Sequence, residues 1–191
     1  MTVEGWENMI AYKGLHKDLT CRGYQFYRDR VNVTDKANCV ENGFHCAENP
    51  LDCLTYYNNW RDSVYYVVKA EGDIDEDGVD SKISCTRMHL VKELPMQDLL
   101  LHALAYMVRY PGRPWNRHVE NEKGKCEDGF AVVRGKSPIV SGKKGDILAI
   151  AKESTDTQEI QEVGVFVIDG ENYFPDVWYD VTGTEVEEDA A

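Results

Sequence analysis

The sequence predicts an α+β fold: a mixed or antiparallel sheet with two helices over residues 1–112, followed by a small all-β module over residues 129–185. Three observations predict it. Runs such as SVYYVVKAEGD are β-branched and aromatic, the composition that suits a half-buried pleated surface. Two segments carry helix signals, one opening on Asn49-Pro50 and one on Pro95. Past residue 128 the texture changes to short strand-like runs separated by Gly, Asp and Lys, without helical period.

Taken in order, ENMIAYKGL reads as a first strand and CRGYQFYRDRV as a second. Asn49 is a natural N-cap and Pro50 suits the first helical position, so a helix runs through LDCLTYYNNW. SVYYVVKAEGD is the strongest strand and ends at Gly72. KISCTRMHLVKEL alternates apolar and polar residues as the next strand. PMQDLLLHALAYMVRY then places Met96, Leu99, Leu100, Ala103, Met107 and Tyr110 on one stripe of a helix that Pro111 and Gly112 end. Residues 113–128 are polar and rich in breakers, and read as a linker. FAVVRG, DILAIAKE, VGVFVIDG and VWYDVTG follow as short strands, and 186–191 as an acidic tail expected to fray.

With 21 basic residues against 34 acidic ones, net −13, the chain repels phosphate at long range. Direct binding to nucleic acid or to an anionic membrane is not expected; a basic partner surface is. No apolar run is long enough to span a bilayer, and MTVEGWENMIAYKG lacks the basic and apolar regions of a signal peptide. A cytoplasmic location is therefore expected, with the six cysteines as free thiols. Cys39, Cys46 and Cys53 recur every seven residues, but no CxxC pair is present and no zinc site is expected.

The acidic stretch GDIDEDGVDSK places Asp73, Asp75 and Asp77 at alternate positions, as a calcium loop begins. Counting from Asp73, position 12 is Ser84, so the closing Glu is missing. The expected structure is a hairpin turn with Asp80 and Ser81 capping its backbone and no metal bound. His45 beside Cys46 suggests a nucleophile pair, but adjacent residues on a strand point to opposite faces. Among familiar signatures, GxGxxG, Walker A, HExxH and GxSxG are all missing. No catalytic residue and no cofactor is assigned from the residues themselves.

The motifs AYKGL, LTCRGYQF, ENGFHCAENPLDCLTYY, EGDIDEDGVDSKIS, GKKGDILAIAKE and IDGENYFPDVWYDV occur in that order. This order resembles a family of uncharacterised phage and prophage proteins whose members often carry a β-solenoid before a small terminal module. Solenoid repeats are not evident in this sequence. The resemblance implies viral origin and fold rather than an activity. A more remote resemblance is to the NAD-binding core of ADP-ribosyltransferases. There Lys13-Gly14 stands for the HG dipeptide and Gly43–Ala47 for the segment that stacks on nicotinamide, with His45 in place of the stacking Tyr. That resemblance implies a cofactor site at Gly14, His45 and Tyr56.

Three functional expectations follow. The first is a phage accessory protein, an anti-CRISPR or other anti-defence inhibitor that occupies a basic, nucleic-acid-binding surface of a host protein. Its contact residues would be Asp73, Asp75, Glu76, Asp77 and Asp80. The second is a virion-associated assembly protein, and the third an NAD-binding relic of the ADP-ribosyltransferase type.

Overall fold

The computed structural model describes residues 9–39, 41–76 and 81–190. It is α+β and dominated by sheet. The chain divides into two compact units, Met1–Leu99 and Leu100–Ala191. The division falls earlier than the expected boundary at residue 112. Among the described residues no helix is long and apolar enough to cross a membrane.

The first unit contains β1 (Met9–His16), β2 (Thr20–Cys21), β3 (Tyr24–Gln25), β4 (Asn32–Val33), β5 (Phe44–Ala47), α1 (Pro50–Tyr56), β6 (Ser63–Glu76) and β7 (Lys82–Leu94). β6 and β7 form the expected antiparallel hairpin, paired from Tyr65↔Leu94 to Glu76↔Ile83. β1 lies along β6 over all eight of its residues. β7 pairs on its other edge with β5, and β5 returns to β1. The pairings β1–β6–β7–β5–β1 thus close into a ring. Strand alternation turns Ala11 and Leu15 inward, where they meet Phe26, Phe44, Val68, Cys85 and Met88.

CRGYQFYRDRV is not one strand. Arg22 and Gly23 have φ of 47° and 81°, so the chain reverses between β2 and β3. Two successive positive φ values suit the tight hairpin turns whose twist matches their flanking strands. The reversal lets Phe26 return over the ring, where it packs on Phe44. α1 begins as expected: the Asn49 side chain accepts from the Leu51 N–H, with Pro50 in the first turn.

The helix α2 (Met96–Arg109) buries Met96, Leu99, Leu100, Ala103, Leu104 and Met107. Leu104 joins the stripe, whereas Tyr110 lies beyond the helix and is only partly buried.

The second unit contains β8 (Val119–Lys125), β9 (Phe130–Ser141), β10 (Ile147–Glu153), β11 (Ile160–Val167), β12 (Trp178–Tyr179) and β13 (Glu185–Val186). The expected linker 113–128 therefore holds a strand, and the expected tail begins inside another. β8, β9 and β10 run parallel in sequence order, with Val119 beside Val132 and Phe130 beside Ile147. Each strand lies on the one before it like successive turns of a coil, although no sequence repeat announces it. Glu122, at φ 62°, makes the bend in β8, and its carboxylate accepts from the N–H groups of Lys136 and Ser137 on β9. These bonds explain why so polar a segment is ordered: its acid pairs main chain that the bend would leave unpaired.

The late motif IDGENYFPDVWYDV closes this unit. Asp169 accepts from the N–H groups of Glu171, Asn172 and Tyr173. Hydrogen bonds from the Asn172 side chain and from these amides hold its carboxyl far below the usual carboxylate range. The turn seats Tyr173 between Phe166 and Tyr179. Cys126, Val133, Leu148, Ile150 and Tyr179 share the core beneath it.

Candidate ligand cavity in the strand fork

The β1–β5 edge of the ring is open. The two strands share one pair, Tyr12↔Ala47. Continued antiparallel, that register would place Cys46 opposite Lys13 and His45 opposite Gly14. The ladder stops instead, and the strands part around a cavity of about 600 Å³. A cavity of that size suits a small organic ligand. Gly14, His45 and Tyr56, the three residues implied by the remote resemblance, all line it. β1, β5 and α1 bring them together.

Lys13 spans the fork. Its Nζ donates to the His45 carbonyl at 2.6 Å, where a main-chain ladder bond would otherwise run. The same nitrogen lies 3.9 Å from Cys21 Sγ and 4.8 Å from the centre of the Phe26 ring. The side chain is 3% exposed, and among the described residues no carboxylate lies within salt-bridge distance of it. Lys13 was legible only as part of the YKG motif. The signal for its burial is the alternation itself, which sets it on the face of Ala11 and Leu15.

Gly14 has a local structural reason for lacking a side chain. A Cβ there would stand 2.6 Å from Cδ2 of Tyr57, so the glycine makes room for that ring. Tyr57 in turn meets His16 edge to face at 5.4 Å, and its carbonyl accepts from the Tyr65 hydroxyl. Burial, followed by a hydrogen bond with Cys21, raises the Tyr57 phenol well above its ordinary range and keeps it neutral. At the other end of the lining, Lys82 stands 4.8 Å over the Tyr56 ring.

Two thiols of the wall, Cys46 and Cys53, are poor nucleophiles. A hydrogen bond with Cys85, then burial, keeps Cys46 in its neutral form. Burial pushes Cys53 up to about 12. None of the six cysteines forms a disulfide. His45 and Cys46 are neighbours on β5, and the Cys46 side chain lies in the apolar core with Phe44 and Ile83.

The helix start and the acidic hairpin are joined here. Ser81 Oγ donates to the Asp52 carboxylate and accepts from the Asn49 N–H, and the Ser81 carbonyl accepts from the Glu48 N–H. Ser81 therefore anchors the N-terminus of α1; the turn that Asp80 and Ser81 were expected to cap lies outside the described residues. The reason is spatial: pairing of Ala47 with Lys82 brings the start of β7 beside that helix end. One serine thereby satisfies a main-chain donor and a carboxylate at the cavity rim.

Asp73, Asp75 and Glu76 sit exposed at the end of β6. Asp75 accepts from the Cys39 N–H at 2.7 Å, and the Asp73 N–H donates to Thr86 Oγ1. Asp77 and Asp80 lie outside the described residues. Among the described residues no three His, Cys, Asp or Glu side chains gather as a metal site.

A ring of strands opening at one pair, with a buried cation across the gap, frames a small cavity-bearing domain. Residues 9–102, which include all of it, match the Domain of unknown function (DUF7666). No curated protein and no solved structure matches the chain.

Proposed function

We propose that the ring of the first unit is a small-molecule-binding domain, with NAD the first ligand to test. The observation that carries the reading is the fork itself: Gly14 and His45 lie on the two strands that part at the cavity, and both line it with Tyr56 of α1. Binding is proposed rather than turnover. Among the described residues the one carboxylate in the lining is Asp52, and Ser81 holds it. In a thermal-shift titration, millimolar NAD is expected to raise the melting temperature of the whole chain, and His45→Ala or Tyr56→Ala to abolish the rise. A ligand present at a hundredfold its Kd stabilises by roughly 2.7 kcal/mol, well within reach of the method. No shift with NAD removes the dinucleotide from the reading.

The exposed end of β6 supports a second role. Asp73, Asp75 and Glu76 project from a strand end in a chain of net −13. They suit a basic surface of a host protein, as expected of a phage-encoded anti-defence protein acting in the host cytoplasm. Attraction of this kind speeds association and weakens with salt. Capture of a nucleic-acid-binding complex from host lysate, released as salt rises and lost on Asp73→Asn/Asp75→Asn/Glu76→Gln, is the expected result. Capture unaffected by that triple change would count against this surface.

A further inference from the structure

We infer that the cavity takes a small organic phosphate, with Lys13 and Arg22 receiving the phosphate group; this rests on the reading of the fork as a binding site. The Lys13 ammonium faces a carbonyl, a thiol and the Phe26 ring. These contacts satisfy its hydrogens without neutralising its charge. An ammonium taken out of water is costly unless an opposite charge accompanies it. A bound anion supplies that charge.

Arg22 is a second cation on the same wall. It sits at the tip of the β2–β3 reversal, held by its positive φ beside Gly23, and it lines the cavity next to Cys21, the residue Lys13 reaches. Arg22 is exposed at this turn, and its guanidinium is near enough for its charge to act on the Tyr57 hydroxyl in the same lining. Lys82 adds a third cation farther along the lining, over Tyr56. The cavity is thus a basic concavity in a chain of net −13.

That contrast selects the ligand. The field of the whole chain opposes a polyanion, so a nucleic-acid strand is disfavoured. A small anion inside the fork meets the local cations first. Two cations, one of them a guanidinium, match the several acceptor oxygens of a phosphate better than a single carboxylate does. The tyrosines at positions 12, 56 and 57 give the rest of the ligand an aromatic lining, which suits a nucleotide.

Calorimetric titration of the whole chain at low salt compares adenosine, AMP, ADP and inorganic phosphate. AMP and ADP are expected to bind about tenfold or more tightly than adenosine, the gap that charge-assisted hydrogen bonds to a phosphate provide. Inorganic phosphate is expected to compete with AMP only at higher concentration, which separates a nucleotide ligand from free phosphate. Lys13→Met abolishes the preference for AMP over adenosine. Arg22→Gln, on an exposed turn, weakens AMP severalfold and leaves the circular dichroism spectrum unchanged. Equal binding of adenosine and AMP overturns the phosphate inference and leaves the cavity a binding site. Inorganic phosphate binding as tightly as AMP also overturns it as stated, by removing the nucleotide. Silence from these probes and from NAD overturns both.

Discussion

Glu153→Ala is expected to destabilise the second unit by about 3–5 kcal/mol, the largest loss among single changes outside the apolar core. Arg134 and Glu153 are both buried and joined at 2.7 Å between Nε and Oε1. Arg134 Nη2 donates to the carbonyls of Pro111 and Gln158, and the guanidinium lies 4.9 Å over the Trp115 ring. Removing the carboxylate leaves a buried guanidinium with neutral partners only, which explains the size of the effect. The pair itself adds far less than its breakage costs, because both ions gave up hydration to form it. Arg134→Met/Glu153→Leu is therefore expected to lie within about 1 kcal/mol of the parent, provided the apolar pair fills the same volume. Urea unfolding measures both, with the midpoint moving at constant slope. A Glu153→Ala loss below about 1 kcal/mol would show that the carboxylate does not compensate the guanidinium.

What the sequence disclosed was mostly local. Asn49-Pro50 starts α1, the apolar stripe of α2 is buried, and KISCTRMHLVKEL matches β7 end to end, because caps and periods act over a few residues. The failures involve partners distant in the chain. The segment 113–128 looked like a linker because its polar residues carry no strand pattern; Glu122 orders it through amides 14 and 15 residues away. The parallel order of β8, β9 and β10 leaves no composition signal without a repeat. CRGYQFYRDRV reads as a strand by residue type, yet Arg22 occupies a backbone region that residue type hardly encodes. The cavity was half legible. Gly14, His45 and Tyr56 came from motif order, but the fork that gathers them depends on one pair, Tyr12↔Ala47. The serine that ties the hairpin to the helix was in view within DSK, with its partners more than 25 residues upstream.

Lys13→Met is expected to raise the melting temperature of the ligand-free chain by roughly 2–4 °C, about 1 kcal/mol for a protein of this size. The contributions have opposite signs. Loss of the ammonium leaves the His45 carbonyl without its 2.6 Å donor, at a cost of about 1–3 kcal/mol. Contact with the Phe26 ring is retained in part, because a thioether also packs favourably on an aromatic. Against these losses stands the desolvation of an ammonium that is 3% exposed and has no carboxylate partner among the described residues, several kcal/mol on its own. Methionine follows the same unbranched stem into the same space, so little packing is disturbed. The sign separates two accounts of Lys13. A lysine retained for the architecture of the fork would lower the melting temperature on replacement. A lysine retained for a ligand is a standing cost to the empty protein, and its removal stabilises the fold while abolishing the preference for a phosphate. A stabilised variant that no longer distinguishes AMP from adenosine assigns Lys13 to the ligand; a destabilised one that still does so assigns it to the frame.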